Sequence, residues 1–259
     1  MNAAKIHHAL TIAGSDSCGG AGIQADIKTM SNCGVYGASV ITAVTAQNTT
    51  GVRDVAVMAS TMVENQLTAV LEDLPITAAK SGMLANTDII QTVARILTQS
   101  PDIALVVDPV MVATTGARLL DSQAEEVLIE ELLPHATLVT PNLPEARALT
   151  GMKEDSAPLD LADRLLQLGC RAVLIKGGHA RGEQVEDWLV TPTGRQRFAN
   201  RRITANVHGT GCALSAAITA GLARGLALDE AVAAAIDWLH QMLQQAWLPQ
   251  AGRLRMLPF

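Results

Sequence analysis

The chain has 259 residues, a formal net charge of −6 and a composition that is nearly half apolar, enough to bury a sizeable core. The acidic balance excludes a basic nucleic-acid face, and aromatics confined to Tyr36, Phe198, Phe259, Trp188, Trp238 and Trp247 leave little for base stacking. Cys18, Cys33, Cys170 and Cys212 stand far apart with no C-x-x-C pair, and no apolar run reaches membrane-span length, so neither zinc, disulfides nor a membrane is expected.

Taken in order, Ala9–Ala13 reads as an apolar strand, with no cleavable signal pattern before it. It runs into Gly14-Ser15-Asp16 and then Gly19-Gly20-Ala21-Gly22, which enters a helix. The glycines partly match a dinucleotide fingerprint, but no acidic residue closes the following strand where a ribose would bind. Further strands are predicted at Ser39–Ala46, Val52–Met58, Ile76–Ala79, Ile103–Val107, Thr137–Thr140 and Ala172–Ile175. Thr61 and Glu64 form a capping-box pattern ahead of Val63, Leu67, Val70, Leu71 and Leu74 at helical spacing. Asn86-Thr87-Asp88 opens another helix, and Ser122 with Glu125 repeats the capping signal. Val185–Val190 and Gln196–Phe198 flank Thr191-Pro192-Thr193-Gly194 as a hairpin. Two helices, about 210–224 and 229–247, close the chain, with Asp229 and Glu230 in the first turn of the second. Alternating strands and helices imply a largely parallel sheet covered on both faces. With no linker, repeat or low-complexity tract, one domain over residues 1–259 is expected.

In such a sheet, ligands gather beyond the carboxyl ends of the strands. Those ends carry Gly14-Ser15-Asp16, Gln47-Asn48, Lys80-Ser81-Gly82, Asp108-Pro109, Pro141-Asn142 and Lys176-Gly177-Gly178. Polar loops are ordinary one at a time; six meeting on one edge suggest a site. His208-Gly-Thr-Gly-Cys-Ala-Leu-Ser215 then leads directly into a helix. Two glycines expose successive N–H groups at the positive end of the helix dipole, an anion cradle suited to phosphoryl transfer. A glycine loop before a helix has a purely structural reading too, and no Walker A sequence accompanies it.

These segments, in this order, resemble the hydroxymethylpyrimidine/phosphomethylpyrimidine kinases of thiamin synthesis, within the ribokinase-like superfamily. The matching stretches are Gly14–Asp26, Ser39–Asn48, Ser81–Leu84, Asp108–Met111, Thr140–Glu145, Lys176–Gly178 and His208–Cys212. The resemblance implies a ribokinase-like α/β fold and an ATP- and Mg²⁺-dependent, cytoplasmic, homodimeric kinase. Asp26 and Gln47 would hydrogen-bond an aminopyrimidine ring lined by Gly14, Ala21, Thr45 and Met83. Asn142 and Glu145 would organise Mg²⁺ and its waters, with Asp108 near the metal and phosphates. Lys176 would reach the ATP phosphates, and Gly209, Thr210, Gly211 and Cys212 would form the anion hole. Sugar kinases of the superfamily carry an aspartate base where Cys212 stands. A cysteine at a helix N-terminus beside cations is expected to have a depressed pKa, giving positioning plus partial base character.

Each residue also has a plain reading: Met83 as core, Thr45 as a routine strand residue, Asp26 as solvent-facing. Many relatives have a lysine at Thr114, which puts nucleotide contacts of that loop in question, and Cys18 replaces a usually small residue. A pyridoxal kinase and a catalytically silent pyrimidine-binding protein are the alternatives. Gln47 favours the aminopyrimidine, because its amide offers a donor and an acceptor together.

Overall fold

A computed structural model describes residues 6–111, 120, 122–179, 182–250 and 252–259. Thr114 lies outside the described residues. Among those described, nine strands form one sheet: β1 (His8–Asp16), β2 (Tyr36–Asn48), β3 (Gly51–Val57), β4 (Ala78–Ser81), β5 (Ala104–Val107), β6 (Leu138–Val139), β7 (Val173–Ile175), β8 (Gln184–Thr191) and β9 (Gly194–Arg201), in the order β3-β2-β1-β4-β5-β6-β7-β8-β9. The six from β2 to β7 in that order run parallel. β3 at one edge pairs antiparallel with β2, and at the other side β8 pairs antiparallel with both β7 and the edge strand β9. Only Thr49-Thr50 separates β2 from β3, too short for a crossover, so that edge must reverse. The hairpin expected around Thr191–Gly194 is β8–β9.

The helices are α1 (Gly22–Asn32), α2 (Ser60–Asp73), α3 (Thr87–Thr98), α4 (Ser122–Val127), α5 (Leu143–Thr150), α6 (Pro158–Gln167), α7 (Thr210–Ala223) and α8 (Leu228–Gln244). Alternate strand side chains divide the core into two layers. Leu10, Ile12, Leu105, Val107, Val139, Val173 and Ile175 pack beneath α2 to α6. Ala9, Val106, Leu138 and Leu174 face the layer of α1, α7 and α8. Burial on both faces explains why these strands read as continuous apolar runs. Each fully buried Leu or Ile contributes about 1.5–3 kcal/mol.

α7 is buried nearly all round, with Ala213, Ala216, Ala217 and Ala220 on its surface. Small side chains let it lie close against α1 and α8, and its first turn ends at the strand edge. Asn86 caps α3 as expected, accepting from the Ile89 N–H at 3.0 Å, a bond worth about 1 kcal/mol. The Thr61–Glu64 box does not form. α2 begins a residue earlier, at Ser60 behind Ala59, with no side-chain cap, and Glu64 pairs with Arg95 instead at 2.9 Å.

Candidate active site

The carboxyl ends of β1, β2 and β4 to β7 open onto one cleft of about 1120 Å³. Gly14, Ala21, Thr45, Gln47, Met83, Asp108, Asn142, Glu145, Lys176, Gly209, Thr210, Gly211 and Cys212 all line it. The register shifts between Ala13 and Ser15, a bulge that re-aims the end of β1. Gly14 sits at that shift, where an added Cβ would stand 3.2 Å from Met83 Sδ.

The turn before α7 needs its glycines. Gly209 caps the helix at φ 72°, in the left-handed region, and a Cβ there would collide with the Gly20 carbonyl. A Cβ on Gly211 would crowd Lys176 Nζ at 3.2 Å. The two glycine-rich loops are therefore packed on each other, with the free N–H groups of the α7 terminus facing the cleft.

Behind the turn lies a charge cluster. Lys176 Nζ is 2.8 Å from Asp108 Oδ1 and 3.8 Å from Glu145 Oε2. Burial pushes the Asp108 carboxyl up, but Lys176 and Lys80 outweigh it and hold the group below its ordinary value. Burial wins at Glu145, whose carboxyl is raised despite Lys176. Asn142 and Glu145 form a reciprocal capping box on α5: Glu145 N–H donates to Asn142 Oδ1 at 2.9 Å, and Asn142 N–H donates to Glu145 Oε2 at 2.8 Å. Asp187 accepts from the Gly177 N–H at 2.7 Å, fixing the turn that carries Lys176.

Asp26, expected to touch a ring, is fully buried and lies one layer behind the cleft. Lys80 Nζ donates to both its oxygens, at 2.9 and 2.8 Å, and Thr11 Oγ1 donates at 2.6 Å. Lys80 lines the cleft in its place. Burial alone would depress the Lys80 ammonium, but Asp26, with Cys212 and Asp108 nearby, holds it above its ordinary value.

At Cys212 the surroundings act against the expected depression of the thiol pKa. Burial pushes its thiol up to about 11, although Lys80 pulls the other way. The helix terminus and cations do not prevail because Asp26 and Asp108 offset them, leaving a neutral thiol near pH 7.

Two residues noted only in passing prove central. Asp16 Oδ2 accepts from the Gly20 and Ala21 N–H groups at 3.1 and 2.8 Å and from His208 Nε2 at 2.9 Å. Burial raises the Asp16 carboxyl, but these partners and Cys18 bring it below its ordinary value. The ligand atoms of Asp16, Cys18 and His208 lie within 4.8 Å of one another; the S–H of Cys18 already points at Asp16. The separation of 192 residues between Asp16 and His208 concealed this grouping. The Gln47 amide ends 3.3 Å from His208 Nε2 and 3.4 Å from Thr45 Oγ1.

A sequence model of the phosphomethylpyrimidine kinase family matches residues 16–256. The chain belongs to that family. A hydroxymethylpyrimidine/phosphomethylpyrimidine kinase of Rhizobium meliloti (strain 1021) is 50% identical over 251 residues, covering 95% of this chain and 94% of that protein. Among solved structures, a phosphomethylpyrimidine kinase of Clostridium difficile 630 is 44% identical, with a TM-score of 0.80 over 92% of this chain and 99% of that one. A Bacillus subtilis pyridoxal kinase in complex with ADP is 33% identical, with a TM-score of 0.89 over 98% and 97% of the two chains. The expected ribokinase-like fold is the one observed, and this member of the phosphomethylpyrimidine kinase family is a kinase.

Proposed function

We propose that this chain transfers the γ-phosphoryl group of ATP to the hydroxymethyl oxygen of 4-amino-5-hydroxymethyl-2-methylpyrimidine, and then phosphorylates the monophosphate, in thiamin synthesis. The reading is carried by one arrangement: a cleft with a carboxamide, Gln47, on one wall and an anion-binding helix terminus, Gly209–Cys212, on another. Thr45, Gly14, Ala21 and Met83 supply the remaining wall of the ring site. Asp26 acts through Lys80, holding its ammonium in place.

As the alcohol oxygen bonds to the γ-phosphorus, the bond to the bridging oxygen breaks and ADP leaves. N–H groups of the turn and Lys176 take up charge on the phosphoryl oxygens. Deprotonation need not lead in a loose transition state. Cys212, neutral near pH 7, positions the hydroxyl, whose proton departs to a phosphoryl oxygen or water once the new bond has formed. Asp108 and Glu145 suit Mg²⁺: two buried carboxylates share one ammonium and offer hard oxygens. Asn142 serves by holding Glu145, since its own oxygen is committed to the cap. Bound Mg²⁺ would neutralise charge on the β- and γ-phosphate oxygens.

The high TM-score with a pyridoxal kinase makes that activity the second reading. Gln47 and the 50% identical pyrimidine kinase favour the first. An ADP-release assay on both alcohols decides: the aminopyrimidine is expected to be turned over, and a wide preference for pyridoxal overturns the assignment.

The domain is taken as one unit, because a single sheet runs through the described residues. Exposed Tyr36, Val44, Val55, Val57 and Met62 on and beside the β2–β3 edge suit a homodimer contact. No helix among the described residues is long and apolar enough to cross a membrane.

A further inference from the structure

The hydrogen bonds around Gln47 leave its carboxamide one orientation. The His208 ring is almost fully buried, at 1% exposure, and its Nε2 faces Asp16 Oδ2 at 2.9 Å. An ionised carboxylate only accepts, so Nε2 must carry the hydrogen. His208 Nδ1 is buried with no partner among the described residues, a position that suits a bare lone pair better than an orphaned N–H. The Thr45 hydroxyl donates to the Ser15 carbonyl at 2.9 Å, so it turns only lone pairs toward Gln47.

The amide group next to His208 therefore has to accept, and the one next to Thr45 has to donate. Gln47 Nε2 placed 3.3 Å from His208 Nε2 would set N–H against N–H. Amide oxygen and nitrogen fill nearly the same envelope; exchanging them removes the N–H against N–H contact, lets the amide oxygen share the one Nε2 hydrogen with Asp16, and lets the amide nitrogen donate to Thr45 Oγ1. Gln47 then shows the cleft one free lone pair on the His208 side and one free N–H on the Thr45 side.

We propose that the His208–Asp16 pair is a positioning device that fixes the Gln47 carboxamide with its oxygen toward His208, so that the cleft reads an amidine edge in one sense only. This rests on the aminopyrimidine reading above. The ligand's amino group goes to the His208 side and its ring nitrogen to the Thr45 side. The hydroxymethyl-bearing carbon adjoins the amino-bearing carbon, so the alcohol is carried toward Gly209, the residue after His208. The opposite amide sense would turn the alcohol away from the anion-binding turn.

The test is calorimetric binding, without ATP, of the aminopyrimidine alcohol and of its analogue lacking the amino group. Wild type is compared with His208→Gln, which keeps an N–H near the Nε2 position, and with His208→Met, which has none. Preference for the amino ligand is expected to fall about tenfold in His208→Met and to stay within threefold of wild type in His208→Gln. Equal weakening of both ligands in His208→Met would mean a merely structural role and would overturn the proposal. ¹⁵N NMR of histidine in the wild type tests the orientation without any variant: protonation at Nε2 is expected, and a neutral ring protonated at Nδ1 overturns it. If wild type binds neither ligand, the substrate assignment fails, while the NMR result still decides the orientation of Gln47.

Discussion

Replacing Lys80 with methionine removes a buried ammonium that makes both charged contacts of Asp26, at 2.8 and 2.9 Å. Asp26 would keep only the Thr11 hydroxyl. Removing one partner of a buried pair costs about 3–5 kcal/mol, since the remaining charge is left uncompensated. At about 2–4 °C per kcal/mol for a chain of this size, Tm falls by roughly 6–20 °C. The deficit also depends on pH. Burial already raises the Asp26 carboxyl, with Lys80 opposing; without Lys80 it rises further above its unfolded value. A raised folded pKa favours the native state at low pH and penalises it as pH climbs, so the gap from wild type narrows toward pH 4. Thermal unfolding followed by circular dichroism at pH 4.5 and 7.5 measures both effects. The double variant Lys80→Met/Asp26→Leu, which removes both charges, is expected to regain at least half the loss. A fall below about 3 °C, or a double variant no more stable than the single, would refute the reasoning.

Gly209→Ala forces a Cβ into the Gly20 carbonyl at a left-handed position; kcat/KM for the alcohol is expected to drop about 100-fold or more. Lys176→Met removes the cation shared by Asp108 and Glu145, and ADP release should slow by about 10²–10³-fold. Cys212→Ser is expected to keep activity within about tenfold, with a pH profile parallel to wild type between 7 and 9, because a thiol pushed up to about 11 stays neutral there; a trapped covalent adduct in wild type would contradict this. Burial also pushes Cys18 up to about 11 and Cys170 to about 12. The native state then holds protons the unfolded chain releases above about pH 9, so Tm should fall between pH 9 and 11, less steeply in Cys170→Ala.

The strands were legible because burial on both faces makes Ala9–Ala13 and Ile103–Val107 continuous apolar runs, and because polar groups cluster where they end. Asp26 was expected at the ring through the resemblance and solvent-facing on its plain reading, and neither foresaw its burial against Lys80. Its company should have warned otherwise: Ile23, Ala25, Thr29 and Met30 share its buried face. Lys80 had no such signal, since nothing in sequence joins it to a residue 54 positions earlier. The Cys212 expectation counted the helix terminus and nearby cations but not the carboxylates that pair with them. The Thr61–Glu64 pattern failed for a local reason, as α2 starts ahead of Thr61. Gln47 was pointed to by the resemblance and stands on the cleft wall, whereas nothing in the sequence joined it to His208.

The contact between Asp16 and His208 spans 192 residues, and the backbone N–H of His208 donates to the Arg255 carbonyl at 2.9 Å. A chain still emerging from the ribosome thus has its first glycine loop long before the turn that completes it. A molecule cut short before Arg255 would keep the Gly209–Cys212 turn but lose the tie to His208, and would hold its anion cradle less firmly.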